Sequence, residues 1–116
     1  MNACTYFTPK TVTWAFGAQG AVVEIDTETG ALRVLHYAAV HDCGRPINPM
    51  LVVGQLHGGI AHAIGGAMGE QLVYDGAGQL LTGSFMDYAL PRADDLPSFA
   101  IELVNHPSTI NELGIK

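Results

Sequence analysis

Between residues 49 and 70 the apolar positions recur at a helical period. Val53, Leu56, Ile60, Ala63, Ile64 and Ala67 fall in one stripe at about 100° per residue. The start of this helix is written beside it. Asn48 can offer its side-chain oxygen to a free N–H of the first turn, and Pro49 suits the first position, where no N–H is needed. The end falls near Glu70. The same segment carries Gly54, Gly58, Gly59, Gly65, Gly66 and Gly69. Each glycine costs a helix interior about 0.5–1 kcal/mol relative to alanine, so the set costs roughly 3–6 kcal/mol. Gly54, Gly58, Ala61, Gly65 and Gly69 share a second stripe, which would let another backbone approach closely. A third lane holds Gln55, Gly59, His62, Gly66 and Glu70. The pattern predicts a helix buried over most of its circumference. A buried amide needs hydrogen-bond partners, so Gln55 is the polar residue expected to touch a ligand.

Elsewhere the pattern is that of strands. Residues 11–25 read as a strand interrupted near 17–20, where the glycines allow a bulge or bend. Residues 26–30 are a turn, and 31–41 a partner strand, giving a hairpin. A second, short hairpin is predicted from 72–74 and 79–82, around the turn at 75–78. Residues 86–97 read as loop, with Pro91, Asp94, Asp95 and Pro97 as breakers. Residues 99–104 are a last strand, and 107–116 loop. The predicted fold is α+β, with antiparallel hairpins and a further strand packed around one long glycine-rich helix.

Composition narrows the function classes. The chain has 116 residues, 48% hydrophobic and only 14% charged, with a formal charge of −6. The negative balance argues against nucleic acid and anionic membranes as partners. Gln55, His57 and His62 interrupt the apolar run 50–68, so no membrane span is expected. With no signal peptide at its start, the chain is expected to be cytoplasmic, and Cys4 and Cys43 to be free thiols. A self-contained domain carries about 25% charged residues, so the low fraction here suggests surface meant to be covered.

Candidate chemistry is sparse. His57 and His62 are five apart, which is not the spacing of a helical metal clamp, and His36, His41 and His106 lie elsewhere. No metal site and no catalytic residue are assigned within the chain. The glycines lie inside a helix, not in a turn after a strand, and no phosphate-binding GK[ST] follows. Ser84, Ser98 and Ser108 lack a nucleophile elbow. Asp42 and Cys43, at a strand end, could act in catalysis but read more readily as a turn-forming carboxylate and a buried thiol, and Asp94 and Asp95 as a solvated loop tip. Glu24, Glu28, Glu70 and Glu112 show no pairing by spacing. Gln55 stands between two readings, a core amide bonded to backbone and a donor to a cofactor near the helix start.

The string VVEIDTETGALRVLHYAAVHDCGRPINPMLVVGQLHGGIAHAIGGAMGEQLVYD, followed by LLTGSFMDYALPRADDLP, resembles the molybdenum-binding large subunit of the xanthine oxidase family. It is most similar to the aerobic carbon monoxide dehydrogenase type. The resemblance implies a fragment, residues 1–116, of the molybdopterin-binding domain. It also implies an oxidoreductase that hydroxylates an aldehyde or N-heterocycle, or oxidises CO, with water as oxygen source. Molybdopterin cytosine dinucleotide would hold the molybdenum, and iron–sulfur clusters and FAD would lie on partner subunits or domains. Gln55 matches the family's GQ motif, whose glutamine hydrogen-bonds near the metal. The family's proton-accepting glutamate would lie just beyond Lys116, so the isolated chain is expected to be inactive. The expected partners are the remainder of the large subunit, the iron–sulfur and flavin subunits, and a small-molecule substrate. The alternative is a non-catalytic remnant acting as a binding or assembly module.

Overall fold

The computed structural model describes residues 2–9 and 11–116. Its elements run β1 (Phe16–Ile25), β2 (Leu32–Asp42), α1 (Pro49–Met68), a single 3₁₀ turn (Ala93–Asp95) and β3 (Phe99–Val104). The fold is α+β. β1 and β2 form the expected antiparallel hairpin, closed by Asp26, whose carboxylate accepts from the N–H groups of Glu28 and Thr29. β3 joins the other side of β2 in parallel, so the sheet order is β1-β2-β3. A parallel pair needs a long crossover, and α1 supplies it.

The first strand starts five residues later than predicted, and it runs without interruption through 17–20. The irregularity lies instead between Val22 and Val23, where Val22 pairs with His36 but Val23 pairs with Val34. The extra residue on β2, Leu35, shifts the side-chain alternation. Val34 and Tyr37, an odd number apart, therefore both pack against the core. Gly17 serves close approach and not a bend, because a Cβ there would overlap the Val40 carbonyl oxygen. The second predicted hairpin is reduced to one bridge between Tyr74 and Leu80, with Thr82 Oγ1 accepting from the Val73 N–H.

The helix begins as read. Asn48 Oδ1 accepts from the Leu51 N–H at 3.3 Å, and Pro49 opens the first turn. It ends at Met68, capped by the Gly69 N–H on the Gly65 carbonyl. The helix lies on one face of the sheet and is not surrounded. Ile60 and Ile64 meet Ala39 of β2 in a small core, flanked by Val34, Tyr37, Leu96, Phe99 and Ile101. Only Ile60, Ile64 and Gly65 of the helix are buried. Val53 and Leu56 are half-buried, while Ala63 and Ala67 are exposed.

The molecule is open. Its radius of gyration is 19.7 Å, against about 13 Å for a compact domain of this length. Its accessible surface is 9254 Å², whereas a compact monomer of its mass exposes roughly 6,100 Å². Tyr6, Phe7, Trp14, Phe85 and Met86 are among the exposed large side chains.

Candidate functional site

Gln55, Gly59, His62 and Gly66 of the third lane are exposed, while Glu70 at its end is half-buried. This corrects the expected buried amide: no hydrogen bond among the described residues engages the Gln55 side chain, which lies on the open side of the second turn of α1. A Cβ added at Gly54, Gly58, Gly59 or Gly66 would meet nothing within 4 Å. Four of the six glycines therefore leave helix backbone open to approach. The other two touch this chain. At Gly65 a Cβ would overlap Glu70 Oε1 and lie 2.8 Å from Pro91 Cγ, and at Gly69 it would rest 3.5 Å from the Ala89 carbonyl oxygen.

Glu70 is paired after all, with a residue that spacing could not reveal. The Tyr88 hydroxyl donates to Glu70 Oε2 at 2.7 Å, which holds the Tyr88 pKa above its ordinary value. Glu70 Oε1 is buried without a partner among the described residues. The groove beside this pair, lined by Met68, Tyr88 and Leu96, does not include Gln55.

The second polar centre is Asp42, the buried charged residue at the end of β2, 1% exposed. Its Oδ1 accepts from the Gly44 N–H at 2.8 Å and the His106 N–H at 3.4 Å. Its Oδ2 lies 2.8 Å from His106 Nδ1 and 2.8 Å from Lys116 Nζ. The Lys116 ammonium, helped by the Gly44 N–H and His106, holds the carboxyl well below the usual range despite its burial. Lys116 Nζ also sits 4.5 Å above the centre of the Phe16 ring. The reading of Asp42 as a mere turn former missed this site. Turn spacing explains the bond to Gly44, but partners 64 and 74 residues away leave no local trace.

Other candidates stay apart. His57 stacks near Phe99, with ring centroids 5.6 Å apart. No three His, Cys, Asp or Glu side chains among the described residues converge to hold a metal. Cys4 and Cys43 are both free. Asp95 caps the 3₁₀ turn through the Arg92 N–H at 3.0 Å. No helix among the described residues is long and apolar enough to cross a membrane.

A mixed sheet with a helical crossover, one helix face open and one buried carboxylate tying the strand ends, defines an α+β unit with much of its apolar surface exposed. The chain belongs to the molybdopterin cofactor-binding domain family, which matches residues 2–97. It is 38% identical over its full length to the carbon monoxide dehydrogenase large chain of Afipia carboxidovorans, of which it spans 14%. It is 43% identical, over 86% of its length, to 12% of the nicotine 6-hydroxylase large subunit of Paenarthrobacter nicotinovorans. A crystal structure of the Cu,Mo-CO dehydrogenase superposes on 97% of the chain with a TM-score of 0.92 at 38% identity, the match covering 14% of that chain.

The donor set fits one wall of a site for a molybdopterin cofactor. An amide with unspent donors and acceptors stands beside bare helix backbone, and this segment assembles no side-chain ligands of its own for a metal. These features are compatible with the organic part of such a group.

Proposed function

We propose that residues 1–116 act as part of the molybdopterin-binding domain of a molybdenum hydroxylase large subunit. The observation that carries this reading is the exposed lane of Gln55, Gly59, His62 and Gly66, in a chain of this family. An uncompensated glycine-rich helix costs several kcal/mol, and a bound group against its bare backbone offsets that cost. The surface excess supports the same reading, since the remainder of a large subunit would cover it.

When bound, molybdopterin cytosine dinucleotide with its molybdenum supplies two-electron redox chemistry. The residues of this chain would hold and orient it. Gln55 would hydrogen-bond close to the reacting centre, and Gly54, Gly58 and Gly59 would keep the backbone approachable. The parent enzyme hydroxylates a heterocycle or aldehyde, or oxidises CO, with water as oxygen source. Electrons leave through iron–sulfur clusters and FAD on partner subunits, and the assembly works in the cytoplasm. In this reading the proton acceptor would be a glutamate of the large subunit outside residues 1–116.

The test is Gln55→Ala in the assembled enzyme. Molybdenum content or substrate-dependent dye reduction should fall about 10–100-fold, as when groups supporting a metal centre are removed. The melting temperature should hardly change, because the Gln55 side chain makes no hydrogen bond among the described residues. Full molybdenum content with unchanged turnover would leave Gln55 a surface amide and sink the reading of the lane.

A further inference from the structure

Three strands and two loops meet at Asp42. β2 ends there, in register with Phe16 of β1 and Val104 of β3. Gly44, two residues on, has φ +73° and forms a bridge with Ile115. The Lys116 N–H donates to the Cys43 carbonyl at 2.9 Å, and the Arg45 N–H to the Gly114 carbonyl at 2.8 Å. Gly114 is itself at φ +70°, where a Cβ would press on Pro107. Residues 106–116 thus form a loop that closes on itself through Asn111 and Ile115, and docks edge-on against the turn leading into α1. The buried carboxylate binds both partners of this docking at once: Gly44 on the turn, His106 and Lys116 on the loop. Lys116 keeps only 13% of its side chain exposed, so its charge is committed to the contact.

We infer that Asp42 is a positioning residue: it fixes the entrance of α1 against residues 106–116, and through α1 sets where Gln55 stands. The inference rests on the reading of Gln55 above. The turn between Gly44 and Asn48 is the only covalent link from β2 to the helix, and Asn48 caps the helix it leads into. A carboxylate holding the turn from one side and the loop from the other removes the turn's freedom to swing. The other helix contacts, Ile60 and Ile64 against Ala39, His57 beside Phe99 and Gly65 against Pro91, all lie past its first two turns. Its N-terminal turns therefore depend on the clasp for their placement.

The experiment compares Asp42→Asn, Lys116→Met and Lys116→Arg in the assembled enzyme. It measures amide hydrogen exchange of peptides spanning 43–48 and 106–116, molybdenum content, and kcat and KM separately. Asp42→Asn and Lys116→Met should speed exchange in both peptides together. Molybdenum content should stay within about twofold and KM should change little, while kcat falls by roughly 10²-fold, the penalty of a small misplacement. Lys116→Arg keeps the ion pair and should restore both protection and kcat. Faster exchange with unchanged kcat would overturn the positioning role, and unchanged exchange would overturn the clasp itself. Should Asp42→Asn not fold, Lys116→Met decides, because it leaves the carboxylate its Gly44 and His106 partners. If the unsubstituted protein carries no molybdenum, the reading of Gln55 fails and the positioning of Gln55 falls with it, while exchange in the two peptides still decides the clasp.

Discussion

A Cβ at Gly44 would overlap the Gly114 carbonyl oxygen, whereas one at Gly58 or Gly59 would meet nothing within 4 Å. The two regions use the same residue type for opposite purposes. Around Asp42 the glycines let two stretches of this chain's own backbone touch, Gly44 at φ +73° and Gly114 at φ +70°, both of which a side chain would oppose. Both oxygens of the Asp42 carboxylate there have partners. Along the Gln55 lane the glycines face open space, and the amide beside them is unspent. The difference separates close approach already made within the chain from helix backbone that faces open space and that the proposed function fills with a bound group.

Substituting at the closed region should cost most. Gly44→Val forces a β-branched residue into a left-handed conformation, about 1–2 kcal/mol by itself, with the overlap on Gly114 added. A large drop in the urea midpoint is expected, and an unchanged midpoint would mean that the two loops are not docked. Gly65→Leu comes next, since it drives a side chain into Glu70 and Pro91. Overpacking of this kind costs roughly 1–3 kcal/mol, again read from the denaturation midpoint.

The open region should behave in reverse. In the 116-residue chain, Gly58→Ala should raise the midpoint by up to about 1 kcal/mol, because helix preference improves and nothing is met. In the assembled large subunit the gain should vanish or change sign. An equal gain in both settings would show that this face stays uncovered.

Acid offers a finer probe of the closed region. The Asp42 pKa is lowered in the fold, chiefly by Lys116, so its contribution to stability is present above the ordinary aspartate value of about 3.9 and is lost as pH falls toward the folded value. Exchange protection of 106–116 should hold at pH 5 and 6 and decay only in strong acid. Decay already near neutrality would point to a different group. The smallest effect is at Tyr88, whose raised pKa should return toward 10 in Glu70→Ala, followed by the absorbance of the phenolate.

The elements that repeat locally were legible in the sequence. The Asn48 cap, Pro49, the turn at Asp26 and the strand 99–104 all follow from neighbours a few residues apart. What the sequence hid was pairing at a distance. The parallel direction of β3, the bulge opposite Val22 and the partners of Asp42 depend on residues far along the chain. The burial of α1 was overestimated for a related reason. Small and apolar residues mark a surface that will be covered, but they do not say by what. Gln55 was read as a buried amide, but it stands on an open face and not in a core. Glu70 was passed over because its partner, Tyr88, lies across a loop.

The mixed sheet also dictates an order of assembly. β1 and β2 are neighbours joined by a tight turn, and hairpins of this kind close in about 1–10 μs. β3 must come from the far side of a 20-residue helix. The contacts of Asp42 close later still, spanning 64 and 74 residues. Long-range parallel pairing is slow because loop closure precedes its reward. During that interval the outer edge of β2 stands unpaired. A nascent chain is then a template for strand addition by its neighbours, so dilution or a chaperone that shields β2 should raise the soluble yield.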